Sequence, residues 1–254
     1  MLVFGSGTLD AYQLETGRRL WWVDRVGYQP KGVPVLGEDK VYVSAPGADE
    51  PTFPPAEVML KKFDANGDGK IQREEVKSDP YSFEHFGWMD ANGDGAVDAS
   101  EYNQVRSASA TGHGLTAIRL GGSGDLTATN VAWKFTKSYP NVPAPLLYRG
   151  VLYMVKTGGI VTTLDPATGE VLKAGRIERA MEDYFSSPVA ADGKVVFVSE
   201  SGKVAVVQAG AQWELLAVND LDEEAWATPA IADGRLYVRT RKALYCFATS
   251  DGKR

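Results

Sequence analysis

Four segments of the chain repeat one design: VPVLGEDKVYVSA, APLLYRGVLYMVK, SPVAADGKVVFVS and TPAIADGRLYVRT. Each is a proline, a few apolar residues, a turn and an alternating strand. The prolines are Pro34, Pro145, Pro188 and Pro229, and the last three are 43 and 41 residues apart. Self-similarity at such a period constrains the fold strongly, because a single copy cannot bury its apolar face alone and must stack on its neighbours. Between the proline-led segments lie further strand and turn units, such as TLDAYQLETGRRLWWV and GIVTTLDPATGEVLKAG. Their strands are rich in Val, Ile, Leu, Tyr and Trp, and their turns carry Asp-Gly or Thr-Gly. Each repeat therefore holds four short strands.

Radially arranged four-stranded sheets are the blades of a β-propeller. The fold expected is mainly β, a partial propeller of about four blades. Trp21, Trp22, Trp133, Trp213 and Trp226 are expected at blade-to-blade contacts; a stacking platform for a ligand is the other reading. The one cysteine, Cys246 in ALYCFA, reads as a small buried strand residue and makes no internal disulfide.

The interval from Pro34 to Pro145 breaks the period. It is 111 residues, one repeat plus an excess, although Trp22 and Trp133 each precede their proline by the same 12. The excess marks an insertion, and the expected domains are 1–47, 48–114 and 115–254.

Inside the insertion a twelve-residue stretch is written twice: DANGDGKIQREE from Asp64 to Glu75 and DANGDGAVDASE from Asp90 to Glu101. Both match D-x-[DN]-x-[DN]-G-x5-E, the EF-hand calcium loop. Calcium is a hard cation that takes six to eight oxygens in loose geometry, and this spacing wraps them around one point. In the first loop Asp64, Asn66 and Asp68 supply side-chain oxygens. Lys70 offers its backbone carbonyl, Gln72 acts through water and Glu75 closes the site with both oxygens. Asp90, Asn92, Asp94, Ala96, Asp98 and Glu101 take the same roles in the second. Two calcium sites are expected, the second tighter because it counts four carboxylates to the first loop's three.

The flanks suit this reading. PAEVMLKKF is an entering helix with proline at its start, YSFEHFGWM a second entering helix, and ASEYNQV the second exiting helix. Pro80 is expected to end the first exiting helix early. Ile71 and Val97, at the eighth position of each loop, are placed to pair as a short β bridge.

Other chemistries find little support. A net charge of −6 is the wrong sign for nucleic-acid binding. No apolar run reaches the roughly 18 residues of a membrane span, and MLVFGSGTLD has no basic leader region, so it reads as a strand rather than a signal peptide. His85 and His113 are the two histidines, each read as a surface or boundary residue, and no His/Cys cluster suggests zinc. No catalytic residue is assigned. Lys156, Arg239 and Arg241 are polar positions that either face a central funnel or are solvated. Glu182-Asp183 is a candidate loop contact.

The units LDPATGEVL, LETGRRLWW and SPVAADGKVVFVS resemble the repeat of the pyrroloquinoline-quinone-like propeller superfamily, and YPNVPAPLLYRGVLYMVKTGGIVTTLDPATGEVL resembles its uncharacterised bacterial members. The superfamily holds quinone-dependent alcohol and glucose dehydrogenases, and also a non-catalytic lipoprotein of the bacterial outer-membrane assembly machine. The dehydrogenases set an adjacent-cysteine disulfide against the cofactor, and this chain has one cysteine. Pyrroloquinoline quinone is therefore not expected, and no cofactor-binding residue is carried over. The resemblance implies a periplasmic or secreted protein. The chain opens inside a repeat, and the expected reading is part of a longer propeller whose open blade edges recruit another protein or a second copy. The function expected is a calcium-binding scaffold or interaction module outside the cytoplasm. The alternative is a fragment of a quinone-dependent dehydrogenase or another propeller-borne enzyme.

Overall fold

The computed structural model describes residues 1–248. The chain forms two compact units, one of Met1–Pro46 and the chain from His113 onward, the other of Gly47–Gly112.

The first unit begins with strands β1 (Leu2–Phe4), β2 (Thr8–Tyr12), β3 (Arg19–Asp24), β4 (Val35–Leu36) and β5 (Lys40–Ala45). The inserted unit follows, with α1 (Ala56–Phe63), β6 (Lys70–Gln72), α2 (Pro80–Glu84), α3 (Phe86–Met89), β7 (Ala96–Asp98) and α4 (Ala99–Ala108). The blades resume with β8 (Gly114–Arg119), β9 (Gly124–Asp125) and β10 (Val131–Phe135). Next come β11 (Leu146–Tyr148), β12 (Val151–Lys156), β13 (Ile160–Leu164) and β14 (Val171–Arg176). A fourth set is β15 (Val189–Ala191), β16 (Lys194–Val198), β17 (Lys203–Gln208) and β18 (Glu214–Asp220). Last are β19 (Ala230–Ala232), β20 (Arg235–Arg239) and β21 (Leu244–Ala248).

These strands make four four-stranded sheets and a three-stranded one, in the orders β1-β2-β3-β9, β10-β8-β5-β4, β11-β12-β13-β14, β15-β16-β17-β18 and β19-β20-β21. The fold is a partial β-propeller with an α-helical EF-hand pair inserted. Each repeat opens with an antiparallel hairpin, and in the fourth and fifth sheets a repeated dipeptide explains why. In Asp192-Gly193 and Asp233-Gly234 both residues have positive φ. That is the two-residue turn whose twist matches paired strands.

Alternation along the strands sends one side-chain row to each neighbouring sheet. Val195 and Phe197 face the third sheet in one apolar cluster, while Val196 and Val198 meet Val238 of the fifth in another. Tyr42, Leu115 and Ala117 meet Leu152, Met154 and Leu164 between the second and third sheets. Backbone acceptors strengthen the same seams. Tyr42 Oη and Trp133 Nε1 both donate to the Pro166 carbonyl, at 3.0 and 3.2 Å. Thr163 Oγ1 donates to the Ala211 carbonyl of the next sheet at 2.8 Å.

The tryptophans divide. Trp21 and Trp213 are buried in inter-sheet clusters and Trp133 packs against one. Trp22 lies on the opposite face of its strand, with the Arg19 guanidinium 4.0 Å over its ring. Trp226 is half exposed and stacks on Phe185. These two correct the expectation that every tryptophan fills a blade contact. Cys246 is a second correction: it sits in β21 as a strand residue but is exposed, because it lies on the row that faces away from the fourth sheet.

Candidate functional site

The inserted unit is built around its own apolar cluster of Phe63, Ile71, Val76, Phe86, Met89, Val97 and Tyr102. Ile71 and Val97 are directly opposed across β6 and β7, which ties the two loops together as a two-stranded sheet. The helices differ from expectation in three places. Residues 73–78, after the first loop, form turns rather than a helix. Pro80 starts a helix instead of ending one: it is the first residue of α2, with Asp79 as the N-cap accepting from Ser82 N at 3.2 Å. Proline suits that first position, where its missing N–H is not needed. The second entering helix is split at His85, which joins α2 to α3 at φ −95° and ψ 8°. The ring of His85 stacks on Tyr81, and its Nδ1 lies 2.8 Å from the Tyr81 carbonyl.

Both loops fold alike. Asp64 Oδ1 accepts from Gly67 N at 2.7 Å and its Oδ2 from Gly69 N at 2.9 Å. Asp90 does the same with Gly93 at 2.9 Å and Gly95 at 3.0 Å. The closing glutamates turn back over their loops. Glu75 Oε1 accepts from Ala65 N and its Oε2 from Gln72 N; Glu101 accepts from Asn92 N and Asp98 N. Asn66 and Asn92 each accept from the N–H two residues on.

The loops differ inside. In the second, carboxylate oxygens of Asp90, Asp94 and Glu101 lie within 4.8 Å of one another. Among the described residues, Asp64, Asp68 and Glu75 form no such group. There the Asp68 Oδ2 is taken by the amides of Asn66 at 3.1 Å and Gln72 at 2.8 Å. Lys70 and Ala96, at the seventh positions, begin the two bridge strands. Asp98 also caps a helix. Its Oδ1 accepts from Glu101 N at 2.9 Å as the N-cap of α4, and Glu101 answers by accepting from Asp98 N. Backbone N–H donation by Lys70 to Asp68, and by Ala96 to Asp94, holds both carboxyls below the usual range. The donor set is all oxygen, mostly anionic and gathered by backbone N–H groups, and it fits a hard divalent cation.

A second surface lies where the chain leads into β15 and β19. The rings of Phe185 and Trp226 stack with centroids 4.4 Å apart. On the Phe185 side is a cavity of about 400 Å³ lined by Asn141, Val142 and Lys156. On the Trp226 side is one of about 340 Å³ lined by Glu224, Arg239 and Arg241. Arg241 pairs with Glu224 at 3.4 Å, whereas Lys156 and Arg239 make no side-chain hydrogen bond or ion pair among the described residues. Glu182 braces the loop below, accepting from Ser199 Oγ at 2.6 Å and from Ser201 Oγ. Glu223 accepts from Thr240 Oγ1 in the next repeat in the same way.

The model of the family described as outer membrane protein assembly factor BamB matches residues 124–254, just over half of the chain. The chain belongs to that family. A model of the EF hand also matches this BamB-family chain, at residues 57–78 and 83–105. No curated protein matches it. Among solved structures it is similar to BamB from Moraxella catarrhalis, with 12% identity and a TM-score of 0.55 over 97% of this chain and 53% of that one. It is also similar to the computationally designed protein Ika8, with 10% identity and a TM-score of 0.53 over 97% of this chain and 57% of that one. Likeness at such identities speaks for the fold alone. The BamB-family chain spans a little over half the length of both.

Two features of this chain escape a reading of loop motifs. The Phe185–Trp226 stack is one, although both residues stand three positions before a repeat proline, which is the signal that would reveal it. The cap formed by Asp98 is the other, signalled by Glu101 three residues on.

Proposed function

We propose that this chain is a calcium-binding propeller scaffold that works outside the cytoplasm, with calcium ordering the inserted EF-hand pair. The observation that carries the reading is the convergence of Asp90, Asp94 and Glu101 in a loop bridged to a twin. Asp90, Asn92, Asp94, the Ala96 carbonyl, Asp98 and Glu101 would hold one ion. Asp64, Asn66, Asp68, the Lys70 carbonyl, Gln72 and Glu75 would hold the other. A bound dication supplies charge that cancels the repulsion among the gathered carboxylates. Extracellular modules of this kind work at about 10⁻⁴–10⁻³ M calcium, which agrees with the envelope setting that the BamB family name suggests.

The partner surface in this proposal is the aromatic pair with Lys156 and Arg239, which suits an acidic segment of another envelope protein. An exposed aromatic held rigidly beside cations is the composition of an interface anchor. Blade edges that pair with a second copy are the other route to assembly.

Calorimetry on chelator-stripped protein tests the calcium reading. Uptake is expected in the wild type, with one site lost in Glu75→Gln and the other in Glu101→Gln; no uptake at millimolar calcium would sink it. A photo-crosslinker at position 226 is expected to trap one defined envelope protein that the same group at position 216, on the outer strand β18, does not. Equal trapping at both would move the interface elsewhere. Anaerobic titration with pyrroloquinoline quinone separates the enzyme alternative, because tight binding with a red-shifted spectrum would favour it over a scaffold.

A further inference from the structure

The bridge between the loops carries a charge across with it. Lys70 is the seventh residue of the first loop and belongs to β6. Its Nζ stands 3.2 Å from Asp94 Oδ2 of the second loop. Asp94 is the fifth residue there and one of the three carboxylates that converge. Its other oxygen, Oδ1, accepts from Ala96 N at 2.9 Å. The arrangement is not reciprocal, because the seventh position of the second loop is Ala96, which has no charge to return. The register explains the reach: Ile71 is held against Val97, so the residue before it lies alongside the opposite loop.

We propose that Lys70 is a tuning residue of the second loop, whose ammonium weakens divalent-cation binding there by occupying the Asp94 carboxylate from the neighbouring loop. The inference rests on the calcium reading above. It also bears on the rank order of the two sites. Carboxylate count makes the second loop the tighter, but Asp98 is engaged as a helix cap and Asp94 is shared with Lys70. The advantage of the second loop is thereby reduced, and the two loops are brought toward one affinity. Lys70 and Asp94 side chains are 42% and 43% exposed. Water therefore screens the pair, and the effect on a cation is about threefold to tenfold rather than orders of magnitude.

The full chain, stripped by chelator and titrated calorimetrically with CaCl₂, provides the test. On a Glu75→Gln background, which isolates the second loop, Lys70→Met is expected to tighten binding about threefold to tenfold. Lys70→Arg keeps the charge and is expected to stay near the parent. Lys61→Met, which removes an exposed charge from α1, is expected to change nothing. On a Glu101→Gln background Lys70→Met is expected to have no such effect. Moving from about 0.05 to about 0.5 M KCl is expected to shrink the gain, since exposed charges are screened. Equal affinities for the parent and Lys70→Met, an equal gain from Lys61→Met, or a gain indifferent to salt would each overturn the tuning role while leaving calcium binding intact. A parent chain that takes up no calcium would overturn both.

Discussion

Gly169 shows how a single atom can matter in this fold. Its φ is +76°, and a Cβ there would lie 2.6 Å from the indole ring of Trp133 in the preceding sheet. Gly169→Ala is expected to cost about 2–4 kcal/mol, combining backbone strain with overpacking of an inter-sheet seam; urea unfolding measures it. Tyr184 contributes on the alkaline side. Its hydroxyl donates to the Ala180 carbonyl at 2.8 Å, and burial, with Glu182 nearby, pushes its pKa far above the ordinary 10.0. The folded state thus resists an ionisation that the unfolded chain undergoes. Its contribution is whole below about pH 10 and is lost as pH climbs toward the raised value. Urea midpoints followed from about pH 9 to 11 are expected to fall more steeply in the wild type than in Tyr184→Phe. Residues whose role is local were legible in the sequence: each loop position is fixed by its spacing from Asp64 or Asp90. Cys246 and Trp226 were not: the exposure of Cys246 depends on what lies against its sheet, which a strand pattern does not name, and Trp226 sits in the loop before β19, where no periodicity marks a face.

At the scale of elements, spacing foretold sheets better than it foretold helices. The four-strand repeat appears as four complete sheets because alternation and glycine-bearing turns are local properties. The two-residue β9 was hidden. It joins β3 in parallel, pairing Trp22 with Asp125 and fixed by Asp24 N donating to Thr127 Oγ1 at 2.9 Å. No window of sequence contains both partners. The helices around the first loop were misjudged at Pro80, which can stop one helix and start another with equal ease; the Asp79 cap decided it. The cap of α4 yields a prediction at this scale. Asp98→Ala is expected to destabilise the chelator-stripped inserted unit by about 1 kcal/mol, and Asp98→Asn by much less, because asparagine caps as well as aspartate. Far-UV circular dichroism during thermal unfolding distinguishes the two. If both variants lose equally, charge rather than capping is what Asp98 supplies.

For the whole molecule, the division into two units with separate apolar clusters, taken with the proposed calcium binding, predicts separate responses to the ion. A ligand that binds the folded form stabilises it by about 2.7 kcal/mol at a hundredfold excess over Kd. Chelation is therefore expected to raise hydrogen exchange within residues 47–112 while the inner strands β12 and β16 keep their protection. Uniform loss of protection would show that the two units unfold as one. The join between them is simple in geometry. β5 and β8 are neighbours in one sheet, and Ala45 is directly opposed to Gly114. The chain therefore leaves for the insertion and returns at opposed positions of two neighbouring strands, where a bare hairpin would otherwise turn. Swapping the excursion for a tight Asn-Gly reversal should leave the blades folded, and any compact module whose termini lie a few ångströms apart could be grafted there. The point of insertion is a socket, one that evolution could fill, empty or refit without renegotiating the architecture that carries it.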